Sequence, residues 1–252
     1  LSNLDLFDLS APNYIQVGAI EGIDPGTSGT FYLDQLIINE SGQEIGPHIE
    51  RRNLCLRSQE FDQSPWLLSR STVAANVVRA PDGTMTADSL SEDDTPNNTH
   101  LLYQQNITIR DGAQFISSIY IKRSNRSWCA LFPRSAVSTG DGFLAYLDLT
   151  TGTVYSGASS GAGTFIAAGM DDAGDGWWRC WAAGQLPSGH TNLRTDVYIG
   201  EAGTDLTFDG LSQSSLYIWG AQVEEMLPTT LKPYKPGPYA PTEAITQPIH
   251  VS

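Results

Sequence analysis

Two stretches decide the fold: GDGWWRCWAAGQ at residues 174–185 and SSLYIWGAQVEE at residues 214–225. The glycines that open the first stretch predict a tight turn, and a strand dense in large aromatic side chains follows it. In the second stretch both alternating sets of positions are apolar or aromatic, and strict alternation places Ala221 and Val223 on the face of Trp219. A strand that offers apolar groups on both faces is typical of the centre of a β-sandwich.

The remaining sequence repeats this pattern of short apolar runs. Between residues 53 and 230, roughly ten strand-like runs recur at intervals of about 8–15 residues, separated by turn residues and without a helical apolar period. Residues 60–66 predict a loop that directs two aromatic side chains inward, and Pro133 is expected to end the strand that begins at Ser127. The chain is therefore predicted to be all-β, an antiparallel β-sandwich of the jelly-roll type, with strands of a second, truncated sandwich at the N-terminus.

Turn-rich and proline-rich segments divide the chain into four parts. Residues 1–48 are predicted to be the closing strands of one sandwich, residues 49–52 a linker, and residues 53–230 the complete jelly roll. Residues 231–252 contain five prolines, which prevent ladder pairing, and are expected to form an extended tail on their own domain or on a neighbour. Because the chain begins at Leu1 rather than at a methionine, we expect it to be a piece of a longer protein.

The chain is acidic, with a formal net charge of −14 and a pI near 4.5 over 252 residues. Nucleic acids and anionic membranes attract basic surfaces, so this charge argues against both as partners. No apolar run is long enough to cross a bilayer, and membrane insertion is not expected. Three cysteines without CxxC spacing and without clustered histidines argue against a zinc site, and Cys129 and Cys180 are expected to be small core residues.

Catalysis is not expected. A glycosidase needs two carboxylates across a cleft, but most acidic residues here lie in turns, where Asp is ordinary turn chemistry. The histidines lie in predicted loops, linkers or the tail, and neither a nucleophile elbow nor a metal-ligand spacing accompanies them. Oxygen ligands for a structural Ca²⁺ are available on Asp62, Asp148 and Glu224, although no EF-hand loop is present and no cofactor is required.

Carbohydrate binding is the sharper hypothesis. Sugar rings present apolar C–H faces that stack on flat aromatic side chains, while polar side chains bond the hydroxyls. The candidate binding residues are Trp128, Trp178, Tyr146, Arg126 and Arg179. Each has an alternative role, because large aromatic residues are more often core residues and arginines on strands more often pair with carboxylates of the same sheet.

Segments in order along residues 53–230 resemble a domain family common in phage structural proteins. The opening NLCLRSQEFDQSPW carries the resemblance at residues 53–66, and APDGT, SIYIK, YLDL and YIWGAQVE continue it at residues 80–84, 118–122, 146–149 and 217–224. Members of this family are head-spike or tail-fibre domains with a jelly roll like that of carbohydrate-binding modules. The resemblance implies a protein of the virion surface or, alternatively, a secreted or bacterial cell-surface protein.

Residues 14–47 are similar to the closing part of a concanavalin A-like, or laminin-G-like, lectin domain. The similar segments are VGA at residues 17–19, GTSGTFYLD at residues 26–34 and IGP at residues 45–47. This resemblance implies that a lectin-type sandwich precedes the jelly roll.

The predicted function is a non-catalytic structural module of a phage fibre, spike or capsid decoration. Its expected partners are surface glycans or other virion proteins, and the chain is expected to form a homo-oligomer. Two alternatives remain. One is a purely structural virion assembly module without sugar binding, whose aromatic side chains are subunit contacts. The other is an accessory carbohydrate-binding module of a polysaccharide-degrading enzyme.

Overall fold

The structure, a computed structural model, describes residues 36–38, 44–47, 52–213, 215–226 and 235–242. The chain divides into two compact units, residues 1–49 and 50–252. In the first unit, β1 (Leu36–Ile38) pairs antiparallel with β2 (Glu44–Pro47). Most of the segment that resembles a lectin domain lies outside the described residues, so the second sandwich stays a prediction.

The second unit is built from strands alone in the part of the chain that the structure describes. The strands are β3 (Trp66–Ser69), β4 (Ser71–Val78), β5 (Ala87–Glu92), β6 (His100–Thr108), β7 (Gln114–Arg123), β8 (Trp128–Ser135), β9 (Gly142–Asp148), β10 (Thr153–Ser160), β11 (Thr164–Asp172), β12 (Trp177–Gln185), β13 (Asn192–Gly200) and β14 (Ser215–Met226). Sheet I has the strand order β10-β9-β8-β13-β6-β3, and sheet II has the order β11-β12-β7-β14-β5-β4. All paired strands are antiparallel, which confirms the predicted all-β jelly-roll sandwich.

The core lies between the two sheets and takes one alternating set of residues from each strand. On β8 of sheet I, Cys129 and Leu131 point inward, and on β12 of sheet II Cys180 and Ala182 face them across the core. Burying a Leu, Ile or Phe side chain in this way contributes about 1.5–3 kcal/mol. All three cysteines are buried and free. Burial raises the pKa of the Cys55 thiol to about 12, so this thiol is neutral.

A β-bulge in β14 overturns the predicted facing of its second half. Gly220 has a φ of +63°, and the register with β7 shifts between Trp219 and Gln222. Ala221 and Val223 consequently enter the core with the residues that precede the bulge on the inner face, whereas strict alternation placed them with Trp219. One extra residue in a strand exchanges the two faces beyond it, and glycine supplies the backbone conformation that the bulge needs.

Two further local expectations need correction. The predicted loop at residues 60–66 buries Phe61 and Trp66 as expected, but Trp66 also begins the short strand β3, which pairs with β6. Pro133 does not end β8. The ladder of β8 with β13 continues through Pro133, which lies opposite Thr195, while the ladder with β9 is interrupted between Leu131 and Arg134. A proline has no N–H to donate, so the cost of Pro133 is confined to one side of the strand.

Candidate functional site

The outer face of sheet II is aromatic and covered. Trp219 and Trp177 are only 4% and 1% exposed. Their indole N–H groups donate to Thr86 Oγ1 at 3.0 Å and to the Arg79 carbonyl at 3.1 Å, both in the connection between β4 and β5. Tyr239 packs on Trp219 with ring centroids 4.7 Å apart. These aromatic side chains therefore form a second, smaller core and not a platform for a ligand.

Residues 235–242 cover this face, and two of the predicted site residues hold them in place. Glu224 Oε1 accepts the Gly237 N–H at 2.7 Å, and Arg179 Nη1 donates to the Gly237 carbonyl at 2.6 Å. The Arg179 guanidinium also lies 5.4 Å from the ring centroid of Tyr120. The sequence analysis proposed Arg179 for glycan binding and Glu224 for Ca²⁺ binding. In the structure both side chains bind a segment of their own chain.

The outer face of sheet I differs from one end of β8 to the other. At one end, Arg134 Nη2 and Arg194 Nε donate to the buried Asp196 carboxylate at 2.6 and 2.5 Å, so these charges are paired within the sheet. At the other end stands Trp128, and the half-buried Tyr146 lies on the neighbouring strand β9 opposite Ala130. The Trp128 end opens into a cleft.

The cleft has a volume of about 590 Å³ and is lined by Trp128, Tyr155 and residues 202–205. The ring centroids of Trp128 and Tyr155 are 5.3 Å apart and their planes are 89° from parallel, an edge-to-face pair. Tyr155 is 59% exposed, although it is a large aromatic residue. The two rings form a corner whose geometry is held by their mutual contact, and more than half of Tyr155 is open to solvent.

A tight turn at residues 201–205 forms the polar wall of the cleft. The Asp205 N–H donates to the Ala202 carbonyl at 2.8 Å, and the Glu201 N–H donates to the Asp205 carbonyl at 3.1 Å. Gly203 has a φ of +55° and lies against the Tyr155 ring, so close that a Cβ there would be 3.3 Å from it. The turn needs glycine at this position both for its backbone and for its contact with the aromatic wall.

Arg126, a predicted site residue, anchors this turn to the sandwich. Its Nε and Nη2 donate to the buried Glu92 carboxylate at 2.9 and 2.7 Å, and its Nη1 lies 3.6 Å from Glu201. The guanidinium also stacks 4.7 Å from the ring centroid of Phe208. Hydrogen bonding to Glu92 raises the pKa of Arg126 above its already high ordinary value, so it is always charged. Arg126 therefore positions the cleft wall.

The remaining predicted site residues lie elsewhere. Trp178 faces inward beneath the β9–β10 turn, where its ring contacts Gly152 and its N–H donates to the Leu149 carbonyl at 3.1 Å. Asp148 Oδ1 caps that turn by accepting the Thr150 N–H, and Asp62 bonds its neighbour in an exposed loop. No group of three His, Cys, Asp or Glu side chains that would hold a metal ion occurs among the described residues. Bound Ca²⁺ stays a prediction from the sequence.

Tyr155 was not predicted as a site residue, although it is the most exposed aromatic side chain of the cleft. It lies on the edge strand β10, which has the sequence TVYSGASS. A single large aromatic residue among small polar ones on an edge strand is the signal that would have found it, because such a strand offers little to bury it.

No family model and no curated protein matches the chain. Among solved structures, it is similar to the enzymatically active domain of bacteriophage CBA120 tailspike protein 4, at 15% identity and a TM-score of 0.42 over 69% of this chain and 21% of that chain. This chain thus spans about a fifth of that tailspike chain.

Two other similar structures are binding modules. One is TmCBM61 in complex with β-1,4-galactotriose (12% identity, TM-score 0.39, 69% of this chain and 99% of that chain). The other is the CBM22-1 xylan-binding domain of Paenibacillus barcinonensis Xyn10C (11% identity, TM-score 0.40, 69% and 95%). At these identities and TM-scores, none of the three assigns a family or a ligand to this chain. In the part of the chain that is described, no helix is both long and apolar enough to span a membrane.

Proposed function

We propose that this chain is a non-catalytic β-sandwich module that binds glycans in the cleft at Trp128 and Tyr155. The observation that carries the proposal is the exposure of Tyr155, which is 59% exposed in a domain whose other large aromatic clusters are packed. An aromatic ring that remains in water forgoes the favourable free energy that burial gives to the other aromatic rings of the domain. A ligand with an apolar face would recover that burial.

The chemistry of the walls suits a sugar ring. The C–H face of a pyranose would stack on the exposed ring of Tyr155, with the Trp128 ring nearly perpendicular beside it. Thr204 and Asp205 on the opposite wall supply a hydroxyl and a carboxylate that bond sugar hydroxyls. The site combines two aromatic side chains with a polar wall and is open to solvent, which suits reversible attachment to a repeated surface polymer.

The setting that we propose is the surface of a phage particle, in a fibre, a spike or a capsid decoration. This part of the proposal rests on the resemblance of residues 53–66 and the segments that follow them. A secreted or bacterial cell-surface protein, including an accessory module of a polysaccharide-degrading enzyme, would use the same cleft.

A glycan array with the whole chain, followed by calorimetric titration of the hits, tests the binding proposal. Tyr155→Ala should weaken binding of any hit at least tenfold, because it removes the stacking face, which corresponds to about 1.4 kcal/mol. The matched control is Met85→Ala, which truncates another exposed apolar side chain in the β4–β5 connection and should leave affinity unchanged. Binding that survives Tyr155→Ala would place the glycan elsewhere.

A second candidate function is assembly into a homo-oligomer. It is favoured by the two sheet edges that β3 and β4 form. These strands lie at the edges of sheets I and II, and Arg70 is the only charged residue between residues 64 and 78. Exposed apolar side chains here include Leu67, Leu68 and Val77. In a protein with a net charge of −14, this edge offers a second copy a stretch with little charge, against which it could pair strand to strand.

Light scattering coupled to size exclusion tests the assembly proposal. Val77→Lys should convert an oligomer into a monomer, because a charge on the edge opposes strand pairing. Val137→Lys, which adds the same charge at a 72% exposed position between β8 and β9, is the matched control and should leave the oligomer intact. A wild-type chain that is monomeric at high concentration would remove this candidate.

A further inference from the structure

We infer that the cleft selects glycans that carry no acidic group, so that its ligands are uncharged or amino sugars and not uronates, sialylated or sulfated chains. This inference rests on the proposed function and adds to it the charge class of the ligand. It is carried by the distribution of fixed charges around Trp128 and Tyr155.

Three carboxylates surround the aromatic corner. Asp205 lines the cleft, and Glu201 begins the same turn with its side chain 49% exposed. Asp148 is the register partner of Trp128 across the β8–β9 ladder, so the two side chains stand on the same face of sheet I. A ligand that lies on Trp128 therefore has carboxylates on two sides.

The arginine that anchors the cleft wall is not available to a ligand. Arg126 is 10% exposed and already donates two hydrogen bonds to Glu92, while its third nitrogen faces Glu201. One guanidinium thus serves two carboxylates. The described residues that line the cleft include neither Lys nor Arg. A carboxylate or sulfate on a sugar would meet acceptors of its own sign and no donor with a positive charge.

Hydrogen-bond chemistry leads to the same selection. Asp205 Oδ1 accepts the Thr207 N–H at 3.0 Å, which holds this carboxylate in one orientation at the cleft. Sugar hydroxyls and ammonium groups are donors and can bond to a carboxylate, whereas an ionised acid offers only acceptors. The cleft thus favours neutral and amino sugars by attraction and disfavours acidic ones by unpaired, like-charged groups. Specific binding sites commonly combine attraction of the preferred ligand with repulsion of its competitors.

The test compares oligosaccharides that share one backbone and differ only in oxidation at C6. Matched tetramers are cellotetraose with β-1,4-glucuronate tetramer, mannotetraose with mannuronate tetramer, and α-1,4-galactotetraose with galacturonate tetramer. Affinities are measured by calorimetry for the whole chain at 20 mM and 500 mM NaCl. For every pair of which one member binds, we expect the neutral member to bind at least tenfold more tightly at low salt. The difference should shrink at high salt, because the repulsion is screened.

Two variants locate the selection. Asp205→Asn keeps an oxygen for the Thr207 N–H and removes one charge, so it should reduce the preference for the neutral member severalfold. Asp62→Asn removes the same charge from an exposed loop outside the cleft and should leave the preference unchanged.

The outcomes separate this inference from the proposed function. If an acidic member binds as tightly as its neutral counterpart, and Tyr155→Ala abolishes both, the cleft binds glycans and the charge selection is wrong. If no tetramer and no array glycan binds to the wild-type chain, the proposed function fails and the inference fails with it. If the neutral preference persists in Asp205→Asn and is lost in Asp62→Asn, the selection does not arise at the cleft.

Discussion

The two outer faces of this sandwich are both aromatic, and the face of sheet I is open at its Trp128 end. On sheet II, Tyr239 from the far end of the described chain packs on Trp219, which is 4% exposed. On sheet I, Tyr155 packs edge-to-face on Trp128 and remains 59% exposed. The pairs have similar ring distances, 4.7 and 5.3 Å. What differs is whether another segment of the chain lies over them.

A high density of aromatic residues in the sequence therefore does not identify a binding face. The densest aromatic stretch of the sequence, at residues 174–185, contributes Trp177 and Trp181 to covered clusters on sheet II. The open cleft is lined by one tryptophan and one tyrosine from stretches with fewer aromatic residues. If the comparison is right, aromatic side chains on sheet II stabilise the fold, and those of the cleft contribute little to stability.

Tyr239→Ala should have the largest effect on stability. It removes the ring that covers Trp219 and the hydroxyl that lies 2.7 Å from Ser58 Oγ, and we expect a loss of about 3 kcal/mol in the free energy of unfolding. Acrylamide quenching of tryptophan fluorescence should increase, because Trp219 is uncovered. Tyr239→Phe, the control, loses only the hydrogen bond, about 1 kcal/mol. An unchanged melting temperature and unchanged quenching for Tyr239→Ala would show that Tyr239 neither covers Trp219 nor stabilises the fold.

Gly220→Ala should have the second-largest effect on stability. We expect chemical denaturation to show a loss of about 2 kcal/mol in the free energy of unfolding. Its φ of +63° disfavours any residue with a side chain, and a Cβ there would lie 3.1 Å from Tyr120 and 3.2 Å from Tyr239. Gly174→Ala is the matched control, since Gly174 has a φ of +80° with nothing within 4 Å of its Cβ position. It should cost only the backbone penalty, about 1 kcal/mol. Equal losses would show that the covered face is loosely packed around the bulge.

A contribution to the pH dependence of stability should come from Asp88, a buried carboxylate on β5 of sheet II. Its oxygens accept the N–H groups of Asn76 at 2.8 Å and Phe61 at 3.1 Å. Burial, the largest cause, raises the pKa of Asp88 from 3.8 to about 6, so the folded state binds this proton more tightly than the unfolded state.

The stabilisation from that proton is fully present below the unfolded pKa and is lost as the pH rises through about 6. We expect urea denaturation to show a gain of about 1 kcal/mol between pH 7 and pH 5. Asp88→Asn should reduce this slope, while Tyr155→Ala, on the other face, should retain it. The buried Asp196, whose pKa burial also raises, accounts for a remainder. A slope that is unchanged in Asp88→Asn would assign it to other groups.

Tyr155→Ala should have the smallest effect on stability, about 0.5 kcal/mol or less, because most of its ring is already in water. Thermal unfolding should be nearly that of the wild-type chain. A loss comparable to that of Tyr239→Ala would mean that the Tyr155 ring is a structural element of the turn at residues 201–205. Its exposure would then no longer support a binding site in the cleft.

Sequence reasoning succeeded where the deciding forces are local. Alternation and turn residues predicted most strands of the second unit, since side chains alternate along any strand and turns need particular residues. The same reasoning failed beyond Gly220, where a bulge exchanged the faces of Ala221 and Val223. A glycine inside an apolar strand is the available signal for such a bulge. Alternation alone cannot register it.

Of the predicted glycan-binding residues, Trp128 lines the cleft, Arg126 anchors its polar wall, and Tyr146 lies on the same face. Trp178 and Arg179 were equally plausible in the sequence, but they pack under a turn and against the tail segment. Strand pairing places a side chain on one face or the other. It does not determine what covers that face.

Composition and local periodicity were enough to predict the all-β class, the acidic character of the chain and the apolar faces of its central strands. Which aromatic residues are available to a ligand depends on how distant segments of the chain pack. Residues 235–242 reach back to cover Trp219, while residues 201–205 wall the cleft beside Tyr155 without closing it. Accessibility depends on segments that are distant in the chain and adjacent in space, and such contacts are settled by the packing of the whole domain.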